Sequence, residues 1–226
     1  MAAVAPVVKY YRLKWDSTVG SAGGFAFVDD TTDSTSLDFG IVDAGDMTYQ
    51  EDADISAASL NEASRCQVFA IFNNKGATTA GSEVSDMQNA YLSVVDKNGG
   101  SGTAENPFYI GNQKWIQVLM NSEKQSDGWF SLGVYSGGDI QEDVRVNGDY
   151  TVGDPETGTN AGKKELHAVA YDDTPEKVGI ISGGLNDGTL NNATNNYAQI
   201  KLFVGIPQNA PAGAHKFRIR TTYSYT

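Results

Sequence analysis

The stretch YAQIKLFVGIPQNAPAGAHKFRIRTTYSYT (197–226) decides the fold class, because it contains the two clearest strand patterns of the chain. Apolar and polar residues alternate in both of its halves, and side chains of a β-strand point to opposite faces with a period of two. The pattern therefore predicts two strands, each with one face on a core and one face in water. The segment between them, 207–213, contains two prolines, which cannot donate ladder hydrogen bonds, and a glycine, which accepts a positive φ. We expect a hairpin or a short Greek-key corner here.

The rest of the chain repeats this pattern in short segments separated by loops rich in Gly, Asn, Asp and Thr. Further strands are predicted at 7–15, 24–28, 37–41, 65–72, 90–96, 114–121, 129–135, 149–152, 167–171 and 177–182. Roughly ten short strands at this spacing are typical of a sandwich, and only residues 55–64 suggest a short helix. The sequence predicts an all-β fold, an antiparallel β-sandwich of Ig-like or jelly-roll type with long Gly/Asn/Asp-rich loops.

Two of these segments support more specific predictions. Residues 65–72 are apolar on both faces, which is expected of a central strand covered on both sides. Residues 114–121 and 129–135 flank a short segment with Asp127 and Gly128 at its turn, so they are predicted to form a hairpin.

The length of 226 residues suits a single β-sandwich domain over 1–226, with residues 1–9 as an extended N-terminal arm. Pro6 keeps this arm out of a helix. The single cysteine, Cys66, excludes an intrachain disulfide and favours folding in a reducing cytoplasm or indifference to redox state. The N-terminal residues have neither the basic region of a signal peptide nor a long apolar run, so we expect no signal peptide and no membrane partner.

Charge is distributed unevenly along the chain. The net charge is −12, but the last thirty residues contain four basic and no acidic residues, so the remainder carries −16. An acidic body argues against a nucleic-acid partner, because neutralising phosphates requires clustered Lys and Arg. Solubility accounts for most of this acidity. A second interpretation is that the basic outer face of the last strand contacts an acidic patch on a neighbouring subunit.

The titratable residues form no recognisable catalytic pattern. A Ser–His–Asp site needs a base held by a carboxylate and aimed at an exposed hydroxyl, and the sequence has no Gly-x-Ser-x-Gly turn. His167 and His215 are interpreted as ordinary surface or strand-end residues. Cys66 lies in an apolar run, whereas a reactive thiolate needs an electropositive and partly open environment, so we predict a core thiol. We therefore expect a protein that is not an enzyme.

A glycan is the alternative ligand. A glycosidase needs two carboxylates that face each other across a groove, and no pair stands out among the loop acids. A non-catalytic carbohydrate-binding module needs only exposed aromatic residues on a sandwich, so it stays an alternative. Trp15, Trp115 and Trp129 are available for such a surface. Because Trp115 and Trp129 lie in apolar strand patterns, we predict that both belong to the core.

Two acidic loops contain the oxygen ligands that Ca²⁺ uses. Neither loop has the 12-residue pattern with its invariant glycine and bidentate glutamate, and no Cys/His cluster suits zinc. The acidic residues of the two loops are Asp29, Asp30, Asp33, Glu51, Asp52 and Asp54. We expect no cofactor, with structural calcium as the alternative.

Two segments resemble known structural modules. LDFGIVDAGDMT (37–48), followed later by a strand that ends at Asn73, looks like the opening of Ig-like modules. The segment 196–226 resembles the ends of β-sandwich virion proteins of tailed viruses, in which a Tyr-rich strand follows a P-x-x-A-x-x-G turn. The turn residues here are Pro207, Ala210 and Gly213. The resemblance implies a structural subunit of the virion, a capsid decoration or tail protein assembled in the host cytoplasm.

The same ending also resembles secreted filament subunits of the TasA type, which implies an extracellular or cell-surface location. Those subunits carry a signal peptide, which is not expected here, so this interpretation ranks second.

Assembly is expected to use the two ends of the chain. A terminal strand presents backbone N–H and C=O groups that a neighbour can pair with. The expected partners are copies of the same chain or capsid and tail proteins. The predicted contact residues are Val4, Val7 and Val8 in the arm and Lys216, Arg218 and Arg220 near the end. The alternative is that both termini pair within their own sheet.

Overall fold

The computed structural model describes residues 3–21, 23–29, 39, 66–100, 109–112, 115–123, 130–133, 162–171, 179–204 and 211–226. These ranges contain nine strands, one turn of α-helix and one 3₁₀ turn. The strands are β1 (Val8–Asp16), β2 (Gly24–Phe27), β3 (Cys66–Asn73), β4 (Gln88–Asp96), β5 (Ile116–Met120), β6 (Phe130–Leu132), β7 (Lys164–Glu165), β8 (Tyr197–Val204) and β9 (Phe217–Ser224). The α-helical turn, α1, is Tyr109–Asn112, and the 3₁₀ turn is Val169–Tyr171.

The strands form two antiparallel sheets. The large sheet has six strands in the order β2-β1-β3-β8-β5-β6, and the small sheet has three in the order β7-β4-β9. Every pair of neighbouring strands is antiparallel. The expected fold class, an all-β antiparallel β-sandwich, is confirmed.

The main core lies between the two sheets. Phe69 and Ile71 of β3 pack in one cluster with Leu92 and Val94 of β4, which joins the large sheet to the small one. All four side chains are almost fully buried. Burial of a large apolar side chain stabilises the fold by about 1.5–3 kcal/mol, so this layer supplies the main attraction between the sheets.

A second cluster covers the outer face of the large sheet. Tyr11, Phe72 and Tyr197 come from three neighbouring strands, and the rings of Phe72 and Tyr197 are stacked with centroids 4.7 Å apart. The Lys75 ammonium lies 4.6 Å from the ring centroid of Phe27 and 4.9 Å from that of Tyr11. The strands in the middle of the large sheet are therefore covered on both faces. The prediction that 65–72 forms a central strand is confirmed.

The predicted wet face of β8 is wrong. Lys201 should point into water, but it is 6% exposed. Its Nζ donates to the carbonyl oxygen of Asn121 at 2.7 Å and to that of Glu123 at 3.4 Å. The physical reason is that the turn after β5 covers this face of β8, so the Lys201 ammonium is buried and takes backbone oxygens of that turn as its partners.

The last two strands do not form a hairpin, because they belong to different sheets. Both edges of β8 are occupied by β3 and β5, so β9 has no free edge of β8 to pair with. The chain passes from the large sheet to the small one between β8 and β9, and of the turn predicted at 207–213 only 211–213 lie within the described residues.

Most of the other predicted strands are present within the described ranges. β1, β2, β3 and β4 lie where the alternation placed them, and β5 pairs with β6 as the predicted hairpin. The strand predicted at 167–171 is wrong, since Val169–Tyr171 forms a 3₁₀ turn. Of 177–182 the structure describes 179–182, where Ile181 forms an isolated bridge with Met87. The segments at 55–64 and 149–152, and all of 37–41 except Phe39, lie outside the described residues.

Candidate assembly interface

The C-terminal strand β9 lies at the edge of the small sheet and pairs only with β4 within the described ranges. Its side chains alternate between half-buried and exposed along its full length. Phe217, Ile219 and Tyr223 pack against the main core. Arg218 and Arg220 point to the outer face and are exposed. The sequence pattern of the last strand is therefore confirmed, with the basic residues on the outside.

The backbone bonds of β4 show which groups of β9 point away from the sheet. Ala90 of β4 donates to the Gly179 oxygen at 3.1 Å and accepts from the Leu166 nitrogen at 2.8 Å, on the side of β4 opposite β9. Backbone groups of an antiparallel strand face alternate sides, so the next residue, Tyr91, faces β9 and pairs with Thr222.

By the same alternation, Arg218, Arg220 and Thr222 direct their backbone groups at β4. Residues 217, 219, 221 and 223 then direct theirs outwards, where no other described segment bonds to them. The open edge is defined here as these four backbone N–H and C=O pairs, from Phe217, Ile219, Thr221 and Tyr223.

The open edge differs from the other strand edges of the two sheets in length. β9 has eight residues, whereas the other outermost strands β2, β6 and β7 have four, three and two. Proteins blunt their edge strands by keeping them short or by placing proline, bulges or inward charges on them. β9 has no proline and no inward charge, its outer face is basic, and its pairing with β4 is irregular between Gln88 and Tyr91, so its length is what sets it apart. It is therefore the edge in the described part of the chain that is best suited to pairing with another strand.

The outer face beside the open edge is basic. Lys216 and Arg218 are exposed and have no ion pair within the described ranges. Arg220 is held in place, because its Nη2 donates to the Gly99 oxygen at 2.8 Å. Glu165 lies on β7, at the other edge of the small sheet. Burial raises the pKa of its carboxyl group, and the positive charge of Lys164 offsets part of this rise. The three predicted basic residues thus lie together at one end of β9.

The N-terminal arm lies along its own chain. Val7 donates its N–H to the Asn73 Oδ1 at 3.2 Å, and its oxygen accepts from the Asn74 nitrogen at 2.9 Å. Val8 is the first residue of β1 and pairs with Asn73. This is the intramolecular pairing that we gave as the alternative. The side chains of Val4 and Val7 are still 55% and 45% exposed, so their contact with a neighbour stays a prediction.

Both ends of the described chain meet at Ser85, which the sequence did not single out. The Ser85 nitrogen donates to the Val4 oxygen at 2.9 Å, and its Oγ donates to the Thr226 oxygen at 2.9 Å. Val4 therefore lies near the end of β9 that Ser224 forms, while Arg218 lies near the other end, beside Val95. The structure separates the predicted contacts into an apolar group and a basic group.

The interpretation of His167 as a surface or strand-end residue is wrong. His167 is 9% exposed, and its carbonyl oxygen accepts from the Asn121 Nδ2 at 3.1 Å. Beside it, the Lys164 Nζ lies 2.6 Å from the Glu123 Oε1. These contacts join the turn after β5 to β7, so the group ties the two sheets together. A buried polar group needs such partners to offset its desolvation.

His215 agrees with its interpretation as a strand-end residue. It is half-buried just before β9, and its Nε2 lies 3.0 Å from the Pro211 oxygen. Its ring meets that of Trp115 edge to face, with centroids 5.2 Å apart. Trp115 is 3% exposed, which confirms its assignment to the core.

The other predicted ligand-binding residues are only partly described. Of the acidic loop residues only Asp29 is described, and Trp129 lies outside the described residues. Among the residues that the structure describes, no group of three or more His, Cys, Asp or Glu side chains is placed to hold a metal. The exposed large apolar residues in these ranges are Val4, Val7, Val28, Leu185 and Tyr225. Tyr225 is the one aromatic side chain among them.

Comparison with known proteins gives no relative. No family model, no curated protein and no solved structure matches this chain. No helix in the described ranges is long and apolar enough to cross a membrane. Function must therefore be argued from the geometry of β9 and its surroundings.

Proposed function

We propose that this chain is a non-enzymatic structural subunit of a virus particle, a capsid decoration or other virion surface protein assembled in the host cytoplasm. It assembles by adding a neighbour's strand to the open edge of β9. The observation that carries the proposal is the length of this edge, eight residues with alternate backbone groups unpaired within the described ranges. The resemblance of 196–226 to the ends of virion proteins supports the choice of a particle.

Strand addition suits this edge physically. A docked strand receives main-chain hydrogen bonds from the open edge, and alternate side chains supply the specificity. Phe217, Ile219 and Tyr223 are only half-buried in the chain alone. A neighbouring strand would cover more of these side chains, and burial of apolar area contributes roughly 25 cal/mol per Å².

The basic outer face supports a partner with acidic or neutral polar groups beside the edge. Lys216 directly precedes β9 and Arg218 lies on it, in a segment without acidic residues (197–226), while the body of the chain is strongly acidic. Charge complementarity mainly sets orientation and association rate, and salt weakens it at exposed sites. Partners that fit are other copies of this chain or capsid and tail proteins.

The experiment uses two substitutions at one position of the open edge. Thr221→Pro removes an outward N–H and leaves the bonds to β4 intact, which an edge strand tolerates. Thr221→Val keeps that N–H and is the matched control, because both variants lose the hydroxyl that accepts from the Tyr10 hydroxyl at 2.7 Å. Circular dichroism shows whether each variant is folded. The mass in solution is measured by light scattering over a range of concentrations.

We expect wild type and Thr221→Val to associate with rising concentration, and Thr221→Pro to need at least about tenfold more protein, a difference of about 1.4 kcal/mol. Equal association of the two variants would contradict assembly through the open edge. A wild type that stays at 24.1 kDa at every concentration would contradict self-assembly altogether.

The filament interpretation predicts the same edge contact but an open assembly. Electron microscopy of the associated wild type separates the two, because fibres that Thr221→Pro abolishes would replace the virion proposal with the extracellular filament.

A further inference from the structure

We infer that the strand added to β9 is the β9 of a second copy, antiparallel to the first and related to it by a two-fold axis at Thr221. The inference rests on the proposed function and names the partner and its register. The two small sheets would then form one continuous sheet in the order β7-β4-β9-β9-β4-β7. Such a contact is isologous, since the same patch is used on both subunits, and it closes as a dimer.

The outward backbone groups select a small set of registers. In an antiparallel pair the residues that bond to each other must both direct their backbone groups at the partner. A two-fold axis at Thr221 meets this condition, because Thr221 bonds to Thr221 of the partner subunit and Ile219 bonds to Tyr223 of the partner subunit. Both pairs belong to the open edge.

The charge pattern favours the axis at Thr221 over registers that bring cations together. The three basic residues lie in the first half of the segment 216–226, and the exposed hydroxyl residues lie in its second half. An axis at Thr221 places each basic side chain opposite a hydroxyl. The three pairs, residue and partner residue, are Lys216 with Thr226, Arg218 with Ser224 and Arg220 with Thr222. No cation faces another cation.

The neighbouring registers are less favourable. A shift of the axis to residue 220 places Arg220 directly opposite Arg220 of the partner subunit, and like charges in that position destabilise a strand pair. A shift to Thr222 also keeps the cations apart, but it separates Phe217 from Tyr225 of the partner subunit and so loses an aromatic pair. A parallel arrangement places the basic halves side by side.

The inner face of the same register is apolar. Ile219 lies opposite Tyr223 of the partner subunit, and Phe217 lies opposite Tyr225 of the partner subunit. Aromatic residues paired across strands with each other or with β-branched residues contribute roughly 0.2–1 kcal/mol per pair. Tyr225 is 44% exposed in the single chain, and this pairing covers it.

Disulfide cross-linking of two single variants tests the register. In the register with its axis at Thr221, residue 220 lies opposite residue 222 of the other subunit, and the two have no backbone hydrogen bonds to each other. The Cα atoms of such a pair are about 4.5 Å apart, which a disulfide can span. Residue 220 is about 8 Å from residue 220 of the other subunit, too far to bridge. Arg220→Cys, Thr222→Cys and their equimolar mixture are oxidised mildly and separated without reductant. Wild type is the control for cross-links through Cys66.

We expect a cross-linked dimer in the mixture, containing up to about half of the protein, and none above wild type in either variant alone. A dimer in Arg220→Cys alone would place the axis at 220, and one in Thr222→Cys alone would place it at 222. Either result overturns the inferred register. So does the lack of any cross-link in samples whose association depends on residue 221. In that case assembly through the open edge stands, whereas a wild type that never associates overturns both this self-assembly and the inferred dimer.

Discussion

β8 and β9 are both eight residues long, but their surroundings differ. β8 is bonded on both edges and covered on both faces, whereas β9 is bonded to β4 alone within the described ranges and has one face in water. β8 can therefore contribute only to stability. β9 retains backbone groups and half-buried apolar side chains that a partner can use. We therefore propose that the large sheet supplies stability and that the end of the small sheet is the site of assembly.

The largest expected effect tests this division directly. Ile200 of β8 is fully buried, whereas Ile219 of β9 is half-buried. Ile200→Ala removes core contacts and leaves a cavity, so we expect a loss of about 3 kcal/mol of unfolding free energy in denaturant titrations. Ile219→Ala, the matched control, should lose about 1 kcal/mol in the monomer. Equal losses at the two positions would break the comparison.

A smaller effect sharpens the account of the covered face of β8. Tyr197 donates its hydroxyl to the Leu190 oxygen at 2.8 Å, and burial raises the pKa of this hydroxyl from its ordinary 10.0 to about 12. The unfolded chain loses this proton at lower pH than the folded chain. The stability from the neutral phenol is therefore complete below pH 10 and is lost as pH rises towards 12.

The unfolding free energy should fall less between pH 10 and pH 12 in Tyr197→Phe than in wild type, because the variant has no phenol to ionise. At neutral pH the variant should be less stable than wild type, because it lacks the hydrogen bond to Leu190. Denaturant titrations at pH 8 and pH 11 check this. An unchanged alkaline decrease in the variant would show that Tyr197 is not the residue responsible.

The sequence predicted those parts of the fold that depend on local pattern. The alternation in β1 and β9 and the pairing of the neighbouring strands β5 and β6 depend on residues close in sequence, and the basic outer face of Arg218 and Arg220 follows from the same alternation. The identity of a strand's neighbours depends instead on distant segments. Cys66 pairs with Phe203, and the Lys201 ammonium meets the Asn121 oxygen 80 residues away in the chain. No local signal marks Lys201 as buried.

The candidate interface was predictable to the same extent. The basic residues could be named, because they lie on the polar side of an alternating strand. The open edge could not, because it depends on which sheet β9 joins and on which side β4 lies. Ser85 gave no signal either, since its contacts with Val4 and Thr226 link segments far apart in sequence.

The most direct test of the open edge is amide hydrogen exchange resolved by residue, in dilute and in concentrated protein. In the dilute monomer we expect the amides of Phe217, Ile219, Thr221 and Tyr223 to exchange at least about tenfold faster than those of Arg218, Arg220 and Thr222. On association the four fast amides should become protected. Uniform protection along β9 in the dilute monomer, or four amides that stay fast in the assembled protein, would contradict the account.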